Sequence, residues 1–210
     1  MVKAIFISAG HGKGGLFNRP DVGAVSHFGG TEYRERTFTV EIGRRVLALL
    51  KTKPELKGVL LQGVGIETDA SPQKKTHFVN SVITENHFKP SECVGIAIHM
   101  NAATSPMARG FEVWCQKDGK SDGLGEYLIR SWKDYAITPL RPRAYNNNKN
   151  GRYGRFYTDD YYCPFVICET SFISNLMDLE AVMNNYDRVA ECYAHATLEF
   201  LRGQGLINAK

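Results

Sequence analysis

Two histidines and two glutamates stand at positions where a chain of alternating strands and helices could bring them together. His11 follows the first predicted strand, His99 ends the third, Glu169 ends the last, and Glu35 opens the helix after the first strand. In a parallel α/β sheet, strand C-termini and the N-termini of the following helices share one edge, and ligands bind there. Two imidazoles and a carboxylate can hold Zn²⁺ and leave a fourth position open for water. A second carboxylate nearby can take the proton of that water. Taken singly, each residue has a plainer reading. His11 lies among glycines, as loop histidines do. His99, in Ala97-Ile98-His99-Met100-Asn101, could be a hydrogen-bonded strand end. Glu35 could complement a helix dipole. Glu169 follows Phe165-Val166-Ile167-Cys168, and a carboxylate closing a buried run is costly unless paired or used. Convergence of all four on one edge favours a site.

The remaining histidines fit that chemistry less well. His77 and His87 fall ten residues apart on one predicted helix, on different faces, and His195 lies in the terminal helix. His27 sits in a long loop, within reach of a substrate but not of the proposed ligands. Glu32, three residues before Glu35, is the competing carboxylate, and its place in the loop makes it the weaker candidate.

The elements that must position these residues read as follows. Val2 to Ser8 is a β-branched and aromatic run ending at Ala9-Gly10, a strand closed by a turn. Residues 10 to 33, with seven glycines and a proline, read as a long loop. Phe38, Ile42, Val46 and Leu50 recur every four residues and predict a helix from Glu35 to Leu50. Gly58 to Gln62 is a second strand. Ser71 followed by Pro72 starts a helix that runs to about Asn86. Val94 to Ile98 and Gly110 to Gln116 are strands, and Ser121 to Tyr135 a helix. Pro139 to Gly154 reads as a polar loop, Phe156 falls in a short strand, and Phe165 to Cys168 is the last strand. Helices over Leu176 to Asn184 and Tyr186 to Leu201 close the chain. The alternation predicts an α/β fold: one domain spanning 1–210, with a twisted, mostly parallel sheet and helices on both faces.

Composition bounds the partners. The chain has 210 residues, 43% of them hydrophobic, enough for a core without staples. Its 26 Lys and Arg against 22 Asp and Glu give a net charge of +4, which favours anionic partners without choosing among them. No stretch approaches the roughly 20 apolar residues of a membrane span. Cys93, Cys115, Cys163, Cys168 and Cys192 are odd in number and contain no Cys-x-x-Cys pair, so they read as reduced core thiols. The apolar run Ala4 to Ala9 is too short for a signal-peptide core, so the expectation is synthesis in the cytoplasm, with action outside it only after release.

Four motifs occur in order: Gly10-His11-Gly12, Glu35 at a helix start, Ile98-His99-x-Asn101-Ala102, and Glu169-x-x-Phe172-Ile173-Ser174-Asn175. Together they resemble the zinc-dependent N-acetylmuramoyl-L-alanine amidases called amidase type 3, over about Lys3 to Leu201. The resemblance implies hydrolysis of the amide between N-acetylmuramic acid and the L-alanine of the peptidoglycan stem peptide. It implies His11, Glu35 and His99 as Zn²⁺ ligands and Glu169 as the catalytic glutamate. No separate wall-binding domain is evident, which is consistent with a phage or prophage endolysin. Two departures stand out. Ser8-Ala9 replaces the Asp-Pro usual before the first Gly-His, which removes one source of carboxylate support for His11. Ser171 replaces a usual Gly. Asn101 could orient a ligand or substrate, and Arg141, Arg143, Arg152 and Arg155 could engage stem-peptide carboxylates. Tyr153, Tyr157, Tyr161 and Tyr162 could line a groove.

Rival readings rest on single features. Gly10-His11-Gly12-Lys13-Gly14-Gly15 fits the G-x-G-x-x-G pattern of nucleotide-binding folds, but that pattern must open a helix at once, and Phe17-Asn18-Arg19-Pro20 follows instead. The basic, aromatic 141–162 segment could bind RNA, yet no RNP-like strand motif accompanies it. Retained Glu169 argues against an inert wall-binding protein. A zinc peptidase cutting inside the stem peptide would use the same metal chemistry and differ only in its product.

Overall fold

The computed structural model describes residues 1–13, 20–68, 70–147 and 158–208. The strands are β1 (Ala4–Ala9), β2 (Gly12–Lys13), β3 (Pro20–Asp21), β4 (Val25–Phe28) and β5 (Thr31–Arg34). The helix α1 (Glu35–Lys51) follows, then β6 (Leu60–Val64), α2 (Pro72–Glu85), β7 (Cys93–Asn101), β8 (Phe111–Cys115) and α3 (Asp122–Tyr135). The chain continues through β9 (Leu140–Asn147), β10 (Phe165–Phe172), α4 (Leu176–Met183) and α5 (Tyr186–Gly203).

Six strands form the main sheet in the order β6-β1-β7-β10-β8-β9. β1 runs parallel to both β6 and β7, and β7 is parallel to β10. β8 is antiparallel to β10, and β9 lies parallel to β8 at the far edge. The central strands β1, β7 and β10 are buried throughout, as parallel strands covered on both sides must be, so they read as continuous rather than alternating apolar runs.

Parity along each strand divides the core in two. Ile5, Ile7, Val94, Ile96, Ile98, Val166, Cys168 and Val113 share one cluster with α1, α3, α4 and α5. Phe38, Ile42, Val46 and Leu50 form the buried stripe of α1 in that cluster. The opposite parity, including Phe6, Ala97, Trp114, Phe165 and Ile167, packs against Val79 and Ile83 of α2 and against Tyr161 and Cys163. The α2 helix starts where its capping signals predict, with Ser71 accepting from the Lys74 amide and Pro72 in the first turn. All five cysteines are buried free thiols. Among the described residues no helix is long and apolar enough to cross a membrane. Residues near the two ends meet, the Val2 amide donating to the Leu206 carbonyl at 2.8 Å.

Four expectations about elements need correction. Within 10–33, β2 pairs with β3 and β4 with β5. Gly29 and Gly30 both take positive φ and turn the second hairpin, a geometry that favours glycine and gives no apolar periodicity to detect. Residues 140–147 form β9 rather than loop. A strand paired on one side only tolerates charge and proline, so Leu-Arg-Pro-Arg-Ala-Tyr hides its β character. β10 continues past Cys168 to Phe172, its polar end concealed because Thr170 and the Tyr193 hydroxyl satisfy each other at 2.9 Å. His87 lies just beyond α2 with φ of 55°. Phe156 falls outside the described residues.

Gly95 of β7 supports a stability prediction. A methyl group there would overlap ring carbons of Phe165, and that ring is stacked on Tyr161 at 3.6 Å between centroids, so it cannot withdraw. Overpacking of this kind typically costs about 1–3 kcal/mol. Gly95→Ala is expected to lower the melting temperature by several degrees, followed by circular dichroism, with Phe165→Leu in the same chain restoring part of the loss. An unchanged melting temperature would show that the ring is not confined.

Candidate active site and metal centre

β7 and β10 pair so that Glu169 lies beside His99. Both have the parity of Ala97 and Ile167, so both side chains leave the sheet on the α2 side. His11 follows β1 on the same edge, and Glu35 arrives as the first residue of α1. The edge rule thus gathers residues separated by as many as 158 positions, from His11 to Glu169.

Glu35 organises the centre. Its Oε1 accepts from the Met100 amide at 3.0 Å and lies 3.1 Å from His99 Nδ1. Its Oε2 accepts from the Ala24 amide at 2.9 Å and lies 3.0 Å from His11 Nε2. Each oxygen therefore meets one backbone amide and one imidazole, which fixes the carboxylate plane between the two rings. Ligand atoms of His11, Glu35 and His99 all lie within 4.8 Å of one another. Gly23, with φ of 73°, lets the backbone close over this cluster: a Cβ there would sit 2.6 Å from both Glu35 Oε2 and His11 Cδ2.

The charges are unequal. Burial disfavours the charged form of His11, but hydrogen bonds and attraction from Glu35 and then Asp21 outweigh it and raise its pKa to about 9. His99 is pushed down, chiefly by burial. Burial alone would raise Glu35, yet the hydrogen bonds from His11 and His99 hold it well below the usual carboxylate range.

Two partners had not been singled out from sequence. The Asp21 carboxylate accepts from His11 Nδ1 at 2.9 Å, so His11 does have a carboxylate behind it, supplied from β3 rather than from the position before Gly10. Nothing in a glycine-rich stretch marks one aspartate as such a partner. Glu112 of β8 is the Cα partner of Glu169 and is buried. It accepts from Asn101 Nδ2 at 2.6 Å and pairs with Arg141 Nε at 3.2 Å. A carboxylate inside Phe111–Cys115 carried the same signal as Glu169, a charge in an apolar run.

The other candidates disperse. Asn101 holds Glu112 with its amide nitrogen, while its oxygen accepts from the Ala102 amide. Arg141 is engaged by Glu112 and lies over the Phe172 ring at 4.7 Å. Arg143 is exposed on the edge strand. Arg152, Arg155, Tyr153 and Tyr157 lie outside the described residues. Tyr161 is core and Tyr162 exposed. Glu32 pairs with Arg34 and His27 on the second hairpin.

A mostly parallel sheet whose strand ends gather two imidazoles and a carboxylate, with a further buried glutamate alongside, is the framework of a hydrolase with a possible metal site. Residues 5–199 match the family described as N-acetylmuramoyl-L-alanine amidase, and the chain belongs to that family. Its reaction is hydrolysis of the amide joining N-acetylmuramic acid to L-alanine in peptidoglycan. No curated protein sequence matches the chain. Among solved structures, it is similar to the N-acetylmuramoyl-L-alanine amidase of Clostridium difficile 630 (TM-score 0.76, 19% identity, covering 97% of this chain and 99% of that one). The catalytic domain of CwlV from Bacillus (Paenibacillus) polymyxa var. colistinus gives a TM-score of 0.74 at 20% identity, covering 95% and 98%. AmiC2 of Nostoc punctiforme gives 0.71 at 21% identity, covering 95% and 97%.

Proposed function

We propose that this amidase is zinc-dependent, with His11, Glu35 and His99 holding the ion and Glu169 serving as general base. The observation that carries this reading is the convergence of three ligand atoms within 4.8 Å around a carboxylate pinned by two backbone amides. The donor set suits zinc: imidazole nitrogen and carboxylate oxygen, with no thiolate among the three. Bound zinc supplies Lewis acidity and lowers the pKa of water to about 7. The protein's own residues supply the rest. Glu169, beside His99, accepts a proton as water oxygen bonds to the lactyl carbonyl carbon. It returns that proton to the nitrogen as the C–N bond breaks, leaving a lactyl carboxylic acid and a free L-alanine amine, and the acid then gives its own proton to solvent or to the amine. Asp21 keeps the Nδ1 proton of His11 in place, so that Nε2 is the nitrogen presented to the ion. The exposed Arg143 suits the carboxylates of the stem peptide, and by residue type so do Arg152 and Arg155.

Purified peptidoglycan digested with the enzyme is expected to gain free N-terminal L-alanine by mass spectrometry. A chelator should abolish the release and added zinc restore it. New ends inside the stem peptide would make the protein a peptidase, and new reducing sugars a glycosidase. Full activity in metal-stripped protein would remove zinc from the scheme.

A further inference from the structure

His11 is one of three non-glycine residues with positive φ among those described, at 59°. The left-handed conformation is disfavoured for a side-chain-bearing residue, so surrounding contacts must impose it. The carbonyls on either side of Gly10 show how. Lys75, from the first turn of α2, is buried, and its Nζ donates to the Ala9 carbonyl at 2.5 Å and to the His11 carbonyl at 2.6 Å. The lysine stem reaches them by crossing Gly65, where an added Cβ would lie 2.5 Å from Lys75 Cε. From α1, on the other side of the sheet, Thr39 Oγ1 donates to the Gly10 carbonyl at 3.2 Å. Arg36 Nη1 reaches the Gly10 and His11 carbonyls at 3.4 and 3.3 Å. Three consecutive carbonyls are thus tied to two helices.

We infer that Lys75 is a positioning residue for the metal centre: its ammonium clasps the Ala9 and His11 carbonyls and holds His11 in the turn that aims Nε2 at Glu35. Lys75 ties residue 9 to residue 11 through one atom, so it sets the direction in which the chain leaves β1. A neutral apolar side chain in its place would leave two carbonyls without this donor and free the turn to relax toward negative φ. The imidazole would then swing away from Glu35. This inference rests on the zinc reading above.

A double-mutant cycle on zinc affinity, measured by competition with a chromogenic chelator, tests it. Parent, Lys75→Met, His11→Ala and the double variant are compared, with folding checked by circular dichroism. Lys75→Met is expected to weaken zinc about 10–100-fold, the usual cost of losing an outer-sphere partner of a ligand. In the His11→Ala background the same change should cost little, because the residue through which Lys75 acts is gone. Lys75→Arg, which can reach both carbonyls with two donors, should restore much of the affinity. Equal losses in both backgrounds, or no loss in folded Lys75→Met, would overturn the inference and leave the zinc reading standing. Failure of the parent to bind zinc would sink that reading itself. Should Lys75→Met not fold, Lys75→Gln takes its place in the same cycle.

Discussion

Glu169→Gln is expected to keep its zinc and lose about 10²–10⁴ in turnover, the cost of removing a general base. The amide fills nearly the same volume on β10 but takes no proton at neutral pH. His99→Ala should behave differently. It removes the proposed nitrogen ligand on the buried side of the cluster, where Glu35 Oε1 would lose its imidazole partner. Zinc content and activity should fall together, because an incomplete set of ligands neither retains the ion nor activates water. The paired measurement is zinc per chain by elemental analysis and release of L-alanine-terminated peptides. If Glu169→Gln loses zinc as fully as His99→Ala, Glu169 is a ligand and the roles must be redrawn. If it keeps both zinc and near-normal turnover, the base lies elsewhere, and Glu112, the cross-strand partner of Glu169, is the next carboxylate to substitute.

Zinc affinity is expected to rise about tenfold for each pH unit between pH 6 and pH 8, one proton being released per ion bound. The cause is His11, whose pKa in metal-stripped protein is raised to about 9 despite its burial, by Glu35 and Asp21. Metal takes the neutral imidazole, so Nε2 must give up its proton while Nδ1 keeps the one shared with Asp21. The same shift acts on folding. A histidine that holds its proton more tightly when folded stabilises the stripped protein fully below its unfolded pKa of about 6.5. That contribution fades as pH rises through about 9. The melting temperature of stripped protein should therefore decline between those values, and saturating zinc should flatten the decline. Calorimetric titration in buffers of different ionisation enthalpy counts the protons. An affinity that levels off near pH 6.5 would mean that His11 is unperturbed.

The four residues at the sheet edge could be read from sequence because strands and helices fix where their ends go. A 3.6-residue stripe locates the start of α1, and apolar runs locate the edges of β1, β7 and β10, so position along the chain becomes position in space. Residues that act across the sheet gave no such signal. Asp21 reaches His11 only because β3 folds back on β2, a pairing of two residues with no pattern of its own. Glu112 meets Glu169 because β8 inserts antiparallel between β10 and β9, and a reading of strand–helix alternation does not reveal strand order. Lys75 looks like any solvent-facing lysine on an amphipathic helix until α2 is docked and the stem is seen to point inward. β9 escaped for a further reason: an edge strand buries one side only, and its arginines and proline are those of a loop.

The bond between Val2 and Leu206 places residues near both ends beside the beginning of β1, whereas the cluster of His11, Glu35 and His99 lies past its far end. Six residues of extended chain separate the two, about 20 Å at the rise of a strand. A partner domain or surface tether joined at either end would hang from the same pole of the molecule, opposite that cluster. Joining the two ends to each other would need only a short bridge. The fold can therefore be anchored, fused or circularly permuted at one pole while the opposite pole, with the proposed site, stays clear for the polymer.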